Sequence, residues 1–220
     1  MRAVTTAAHL DARPAPAGRR AGTRARFEQR RSEVVDVSAR LFAERGYANT
    51  SIDDLVDATG LQRGGLYHYI DSKQQLLLLI HEELLAPLLL QAEEIVASEL
   101  DPETRLRGLL RVWVAHVASH RDHMVVFYEE RRLIESDAAW HDVRLARERF
   151  RDLLEGVLRD GQRERRFAIA DLDVAEMAIL GVVNHMPHWL DPAGRLAPVE
   201  VADRCADLLL DGLLPRTSSD

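Results

Sequence analysis

The stretch Leu41–Leu77, "LFAERGYANTSIDDLVDATGLQRGGLYHYIDSKQQLL", decides the fold. Just before and into it, Val34, Val37, Ser38, Leu41 and Phe42 repeat at helical spacing, and Gly46 supplies a left-handed stop. Thr50 then offers an N-cap for a second, short helix, with Asp53 three residues later as its reciprocal partner. Ile52, Leu55 and Val56 give that helix one apolar stripe, and Gly60 ends it. A third helix of about two turns is expected from Gln62 to Tyr69. Gly60 permits the tight corner between them, and Leu61 and Leu66 are expected to bury beneath the third helix.

Short helices around a glycine corner describe a helix-turn-helix DNA reader. Gln62 and Arg63 stand at the N-terminal end of the third helix, where side chains reach base edges and the dipole favours phosphate. Gly64 and Gly65 each cost a helix about 1 kcal/mol against alanine. Close approach to the groove would compensate; the plainer reading places them in a loop. Tyr67, His68 and Lys73 can donate to phosphates. Asp53, Asp54 and Asp57 would repel DNA and must face away or lie at the positive helix end.

The charge is unevenly placed. Residues 1–31 hold eight arginines against Asp11 and Glu28, a local +6 on a chain of net −7, so residues 32–220 carry −13. A basic head on an acidic body suggests an arm for a polyanion, against the plainer reading of a solubilising tail. Pro14, Pro16, Gly18 and Gly22 mark residues 1–23 as a flexible leader, with helical text from about Arg24.

Beyond the opening stretch the chain reads as helix throughout. Ser72 and Gln75 stand at capping-box spacing before a long helix reaching Glu99, which Pro87 should kink. Asp101-Pro102-Glu103 is a strong start signal. Further helices are expected at about 102–119, 122–135, 138–163, 173–189 and 198–213, with Asp173 and Glu176 capping the penultimate one. Aromatic residues are only 5%, without alternating β-branched runs, which argues against a sandwich or barrel. The expectation is an all-α protein of about nine helices. It divides into a basic arm (1–23), a DNA-binding domain (24–75) and a helical ligand-binding and dimerisation domain (76–215). No charge-free apolar run approaches a membrane span, no signal-peptide core is visible, and the single Cys205 fits a reducing compartment, so a cytoplasmic location is expected.

Residues 27–85 resemble the N-terminal domain of the TetR family of one-component transcriptional repressors. The resemblance rests on Phe42-x-x-x-Gly46-Tyr47, Thr50, Ile52-x-x-Leu55-Val56-x-x-x-Gly60, Leu66-Tyr67-x-Tyr69 and Ser72-Lys73-x-x-Leu76. It implies that Thr50, Gln62, Arg63, Gly64, Tyr67, His68 and Lys73 occupy positions that contact operator DNA. Gly65 stands where the family has Ser, Thr or Ala, and Ile70 where it has Phe. The family's last two helices pair two chains. The stripes Val174, Met177, Ala178, Gly181, Val182 and Val201, Cys205, Leu208, Leu209, Leu213 suit that role or, taken alone, an intramolecular core. A two-fold homodimer would place two reading helices about one DNA turn apart on a palindrome.

The effector is less legible. Trp113, His116, His120, Phe127, Tyr128, Phe150, Met177, Asn184, His185 and Trp189 are candidates for an apolar cavity with polar anchors. "HRDHMVVFYEERRL" and the segment from Trp189 loosely resemble regulators of lipid and steroid degradation that respond to CoA thioesters. Eight arginines between Arg144 and Arg166 would suit CoA phosphates, but pairs such as Arg144–Glu148 and Arg151–Glu155 favour a self-paired, solvated face. The i, i+4, i+7 set His116, His120 and His123 raises the alternative of a metal-responsive regulator or metal-binding helical protein. No nucleophile elbow, phosphate loop or dinucleotide fingerprint is present, so neither catalysis nor a cofactor is expected. The preferred reading is a homodimeric repressor of a palindromic operator, released by a small hydrophobic or acyl-CoA-like effector.

Overall fold

The computed structural model describes residues 17–130 and 138–213. Among them are nine α-helices and no strand: α1 (Ala17–Arg45), α2 (Ile52–Thr59), α3 (Arg63–Leu66), α4 (Lys73–Val96), α5 (Pro102–Ser119), α6 (Arg121–Glu129), α7 (His141–Arg163), α8 (Leu172–Asn184) and α9 (Pro198–Leu213). Short 3-10 turns at Ala138–Trp140 and Met186–His188 precede α7 and follow α8. The all-α expectation holds. The expected extension of α6 to residue 135 falls partly outside the described residues.

Several ends differ from the sequence reading. α1 begins at Ala17, so residues 17–23 are helical rather than part of a flexible leader. After Pro16 the chain is rich in Ala and Arg, both strong helix formers, and this outweighs Gly18 and Gly22. The cap of α2 is Ser51, not Thr50, and its reciprocal partner is Asp54, not Asp53. Thr50 is instead buried, its hydroxyl donating to the Gly46 carbonyl at 2.9 Å. Asp171 caps α8, rather than Asp173 and Glu176. The start of α5 is as read: Asp101 accepts from the amides of Glu103 and Thr104, with Pro102 at the first turn.

Two apolar cores share one spine. The head core joins α1, α2, α3 and the first half of α4 through Phe42, Leu55, Leu66, Ile70 and Leu76, and it reaches into the body through Val126, Trp140 and Val143. The body core gathers α4, α5, α7, α8 and α9 around Leu88, Leu106, Trp113, Leu154 and Ile179. α4 belongs to both: Leu84 faces the body core and its neighbour Leu85 the head core. Its 24 residues are long and apolar enough by composition to cross a membrane. Packing on two sides accounts for that character, since a helix apolar most of the way round is normally a buried one.

Candidate nucleic-acid interface and effector cavity

The head presents a short reading helix on a rigid base. Ser51 and Asp54 close a reciprocal capping box, with the Asp54 amide donating to Ser51 Oγ at 3.1 Å and the Ser51 amide to Asp54 Oδ2 at 2.8 Å. The Ser51 hydroxyl, which donates to Asp54 Oδ2, then the Ser51 amide and Arg45, hold the Asp54 carboxyl below its ordinary range. Gly60 ends α2 at φ 65°, a conformation that costs other residues energy, and turns the chain into α3. Leu55 and Leu66, both fully buried, lock α2 and α3 to one core. α3 is a single turn rather than the two expected; beyond it the chain continues as turns, with the amides of Tyr69 and Ile70 both donating to the Leu66 carbonyl.

The nominated side chains divide by exposure. Gln62 and Arg63 are exposed at the start of α3, as are Gly64, Tyr67 and His68. A Cβ built on Gly64 would meet nothing within 4 Å, so the fold itself does not demand glycine there. Arg63 is not free: Nη2 lies 2.9 Å from Oδ1 of Asp53. Asp53 thus does not cap α2 and does not face away, but it does lie at the positive end of α2, in its first turn. His68 packs edge-on against Phe27 of α1, their ring centroids 5.3 Å apart, which brings the arginine-rich opening of α1 beside the end of α3. Lys73 turns inward, its ammonium donating to the carbonyls of Tyr47 and Thr50 at 2.8 Å each and lying 4.2 Å from the Tyr47 ring. Partial burial lowers its pKa, and the nearby Glu130 carboxylate opposes that shift.

In the body, a cavity of about 100 Å³ opens between α4, α5, α6, α7 and α8. Of the nominated residues, Trp113, Phe127, Phe150 and Asn184 line it. Trp113 and Phe150 meet edge-to-face with centroids 4.7 Å apart. Leu84, Leu85 and Leu88 of α4, which the sequence reading did not nominate, form one wall; Arg147 and Arg151, read from the sequence as part of a solvated face, stand at the cavity with Asn184 among apolar residues. Arg147 sits over the Phe127 ring at 5.1 Å. Arg151 is bidentate to the buried Glu176 at 2.8 and 2.9 Å, not paired with Glu155 along its own helix.

The other six nominees lie elsewhere. Tyr128, Met177, His185 and Trp189 are exposed, because the inward face of their segments is taken by neighbours such as Val126, Ile179, Val183 and Met186. His116 is buried with Nε2 2.6 Å from the Leu84 carbonyl, and burial pushes its pKa down to about 4. His120 lines a separate crevice against α1. The metal alternative fails on the same geometry. Nε2 of His116 is engaged by backbone, His123 faces Asp36, and no three His, Cys, Asp or Glu side chains converge on one point among the described residues.

Comparison with known proteins accords with this architecture. Residues 34–80 match the profile of bacterial regulatory proteins of the tetR family, and residues 99–213 match the tetracyclin repressor-like C-terminal domain. The HTH-type transcriptional repressor KstR2 of Rhodococcus jostii is 30% identical over 185 residues, 84% of this chain and 91% of that protein. The chain belongs to the TetR family. Among solved structures it is similar to the ketosteroid transcriptional regulator KstR2 of Mycobacterium tuberculosis (TM-score 0.80, 26% identity, 85% of this chain and 96% of that one). It is similar also to AibR in complex with isovaleryl coenzyme A and operator DNA (TM-score 0.71, 25% identity, 82% and 98%). In this TetR-family chain the N-terminal match takes in α2, α3 and the caps around them, and the C-terminal match takes in every helix of the body except α4. α4 is the link between the two.

Proposed function

We propose that the protein is a cytoplasmic, non-enzymatic repressor that binds a palindromic operator as a homodimer and is released by a small hydrophobic or acyl-CoA effector. The observation that carries this is α4, which forms a wall of the effector cavity with Leu84, Leu85 and Leu88 and, with Leu76 and Leu77, anchors the reading head. A ligand that moves this wall moves α3. Gln62 and Arg63 read base edges, Tyr67 and His68 donate to phosphate, and Gly64 lets the backbone approach. Lys73 holds the turn before α2, leaving its third ammonium proton for a phosphate, and Thr50 shapes that turn from within.

The dimer reading is supported by apolar side chains left exposed on the last two helices: Val174 (63%) and Met177 (65%) on α8, and Leu208 (77%) on α9. Such a stripe on a soluble protein marks an interaction surface. Two chains related by a two-fold axis carry two copies of α3 to successive turns of one DNA face.

The cavity sets the effector's shape. About 100 Å³ is well below the roughly 300–1,000 Å³ of sites for drug-sized molecules. It suits a short acyl group against Trp113, Phe127 and Phe150, with a polar end near Asn184 and Arg147. A longer acyl chain has to part α4 from α7 and α8, which supplies the differential affinity that induction requires. The test is release of the protein from a DNA site selected out of a random library, by acyl-CoAs of increasing chain length. The reading predicts release that depends on acyl length and is absent for coenzyme A alone. Equal inertness of every acyl-CoA would overturn the effector class.

A further inference from the structure

A second hollow lies outside both regions described above, at the junction of head and body. It is an open crevice of about 540 Å³ between α1, α4 and the corner joining α5 to α6. Three carboxylates line it, Asp36 from α1 and Glu82 and Glu83 from α4, against one guanidinium, Arg31. Burial first, then the Asp36 and Glu82 charges, raise the pKa of Glu83; Arg31 and the Ser32 hydroxyl, which donates to Glu83 at 3.5 Å, offset this only in part. Pro87, on the same wall, has no N–H to offer the Glu83 carbonyl.

One buried group points to an occupant. The side chain of His123 is only 6% exposed, yet its Nε2 has no hydrogen-bond partner; the nearest carboxylate oxygen, on Asp36, is 3.5 Å away. Burial keeps this imidazole neutral more readily than in water, which leaves a ring nitrogen able to accept. A buried polar nitrogen left unpaired in a native fold calls for an explanation. The crevice therefore sets three carboxylates and the unpartnered His123 nitrogen against the donors of Arg31, Ser32 and His120, above an apolar floor of Leu79, Ala86 and Pro87. The acidic and imidazole groups do not converge on a single point, as a metal ion would demand.

We infer that this crevice is a binding site for a small organic polyamine, whose ammonium groups lie among Asp36, Glu82, Glu83 and Nε2 of His123 and whose methylenes lie on Leu79, Ala86 and Pro87. Aliphatic stems between ammonium groups match the mixture of acidic lip and apolar floor, as lysine stems do on protein surfaces. Because α1 carries one wall and α4 and α6 the others, an occupant bridges head and body. Neither the site nor its test depends on how α3 is used.

Calorimetric titration of the full chain with spermidine and with putrescine, at fixed ionic strength, tests this. The expected result is saturable binding of one spermidine per chain, tighter than putrescine. Asp36→Asn with Glu82→Gln should weaken it at least about tenfold, the scale of charge-assisted hydrogen bonds. Ala86→Arg, which places a cation on the exposed floor, should abolish it, and Leu180→Trp in the body cavity should leave it unchanged. Circular dichroism melts confirm that each variant is folded. No saturable heat up to about 1 mM spermidine, equal binding by the Asp36/Glu82 double variant, or equal competition by magnesium chloride at matched charge would each overturn the assignment, the last two by showing a diffuse acidic surface.

Discussion

Nη2 of Arg63 lies 2.9 Å from Oδ1 of Asp53, joining the first residue of the reading helix to the first turn of its supporting helix. Both side chains are largely exposed, so the pair adds little to stability. Its effect is on position. In the free protein the guanidinium is held by a carboxylate, and DNA has to offer a better acceptor to win it. Guanine does so with two aligned acceptors, whereas a lone phosphate competes less well. Asp53→Asn is therefore expected to raise affinity for random DNA more than for the operator and so to lower the specificity ratio. Arg63→Ala should cost about 1–3 kcal/mol at the operator and little on random DNA. Anisotropy titrations with both DNAs check this, and equal changes on the two would contradict the role.

Gly64→Ala separates a glycine needed by the fold from one needed by a partner. The added methyl meets no atom within 4 Å, and alanine favours helix by up to about 1 kcal/mol. The melting temperature should hold or rise while operator affinity falls. A lower melting temperature with unchanged DNA binding would assign the glycine to the fold instead.

Filling the body cavity should uncouple induction from DNA binding. Leu180 is half-buried on the cavity wall, and Leu180→Trp directs an indole into the space without touching α1–α3. Operator affinity is expected within about twofold of wild type, within the ~0.5 kcal/mol over which distant sites act independently, with release by acyl-CoA lost. Retained release would place the effector elsewhere.

Mild acid should destabilise the fold through its buried histidines. His81 and His116 are buried, and their pKa values are pushed down to about 4, chiefly by burial. Once unfolded, each imidazole takes its proton near 6.5. Between those values the unfolded chain holds more protons, so stability is complete above about pH 6.5 and falls as pH drops towards 4, by at most ~3 kcal/mol for each histidine. Urea titrations at pH 7.5, 6 and 5 measure the slope. His81→Leu should roughly halve it, since it removes one of the two titrating rings, and an aliphatic side chain between Phe127 and Trp140 leaves no unpartnered Nε2 behind. An unchanged slope would show that His81 is not the group responsible.

Much of this architecture is written in local chemistry. Asp101-Pro102-Glu103 combines a cap, a proline and an acid in one order, and α5 begins there. Where two capping residues are adjacent the sequence is ambiguous: Thr50-Ser51 and Asp53-Asp54 offer two boxes one residue apart. The fold takes the second because Thr50 is drawn into the turn by Gly46 and Lys73. Trp113, Phe127, Phe150 and Asn184 were identifiable as candidate lining residues, being large or polar on helices of one body. The leucines of α4 were not, because a cavity wall and a packed core ask for the same side chains. Met177 and Tyr128 look like lining for the converse reason: an exposed apolar or aromatic residue has the same composition as a buried one. The Arg151–Glu176 bridge joins positions on different helices, and such pairings depend on how helices are arranged rather than on spacing along one of them.

The most direct measurement is fluorescence anisotropy of the purified protein on DNA from the region upstream of its own gene, with random DNA as competitor, repeated with Arg63→Ala. The account predicts tight binding that resists competitor, two chains per site, a steep loss with rising salt, and loss of preference in the variant. Binding no tighter than to random DNA, with a library-selected site that Arg63→Ala holds as well as the wild type, would contradict it.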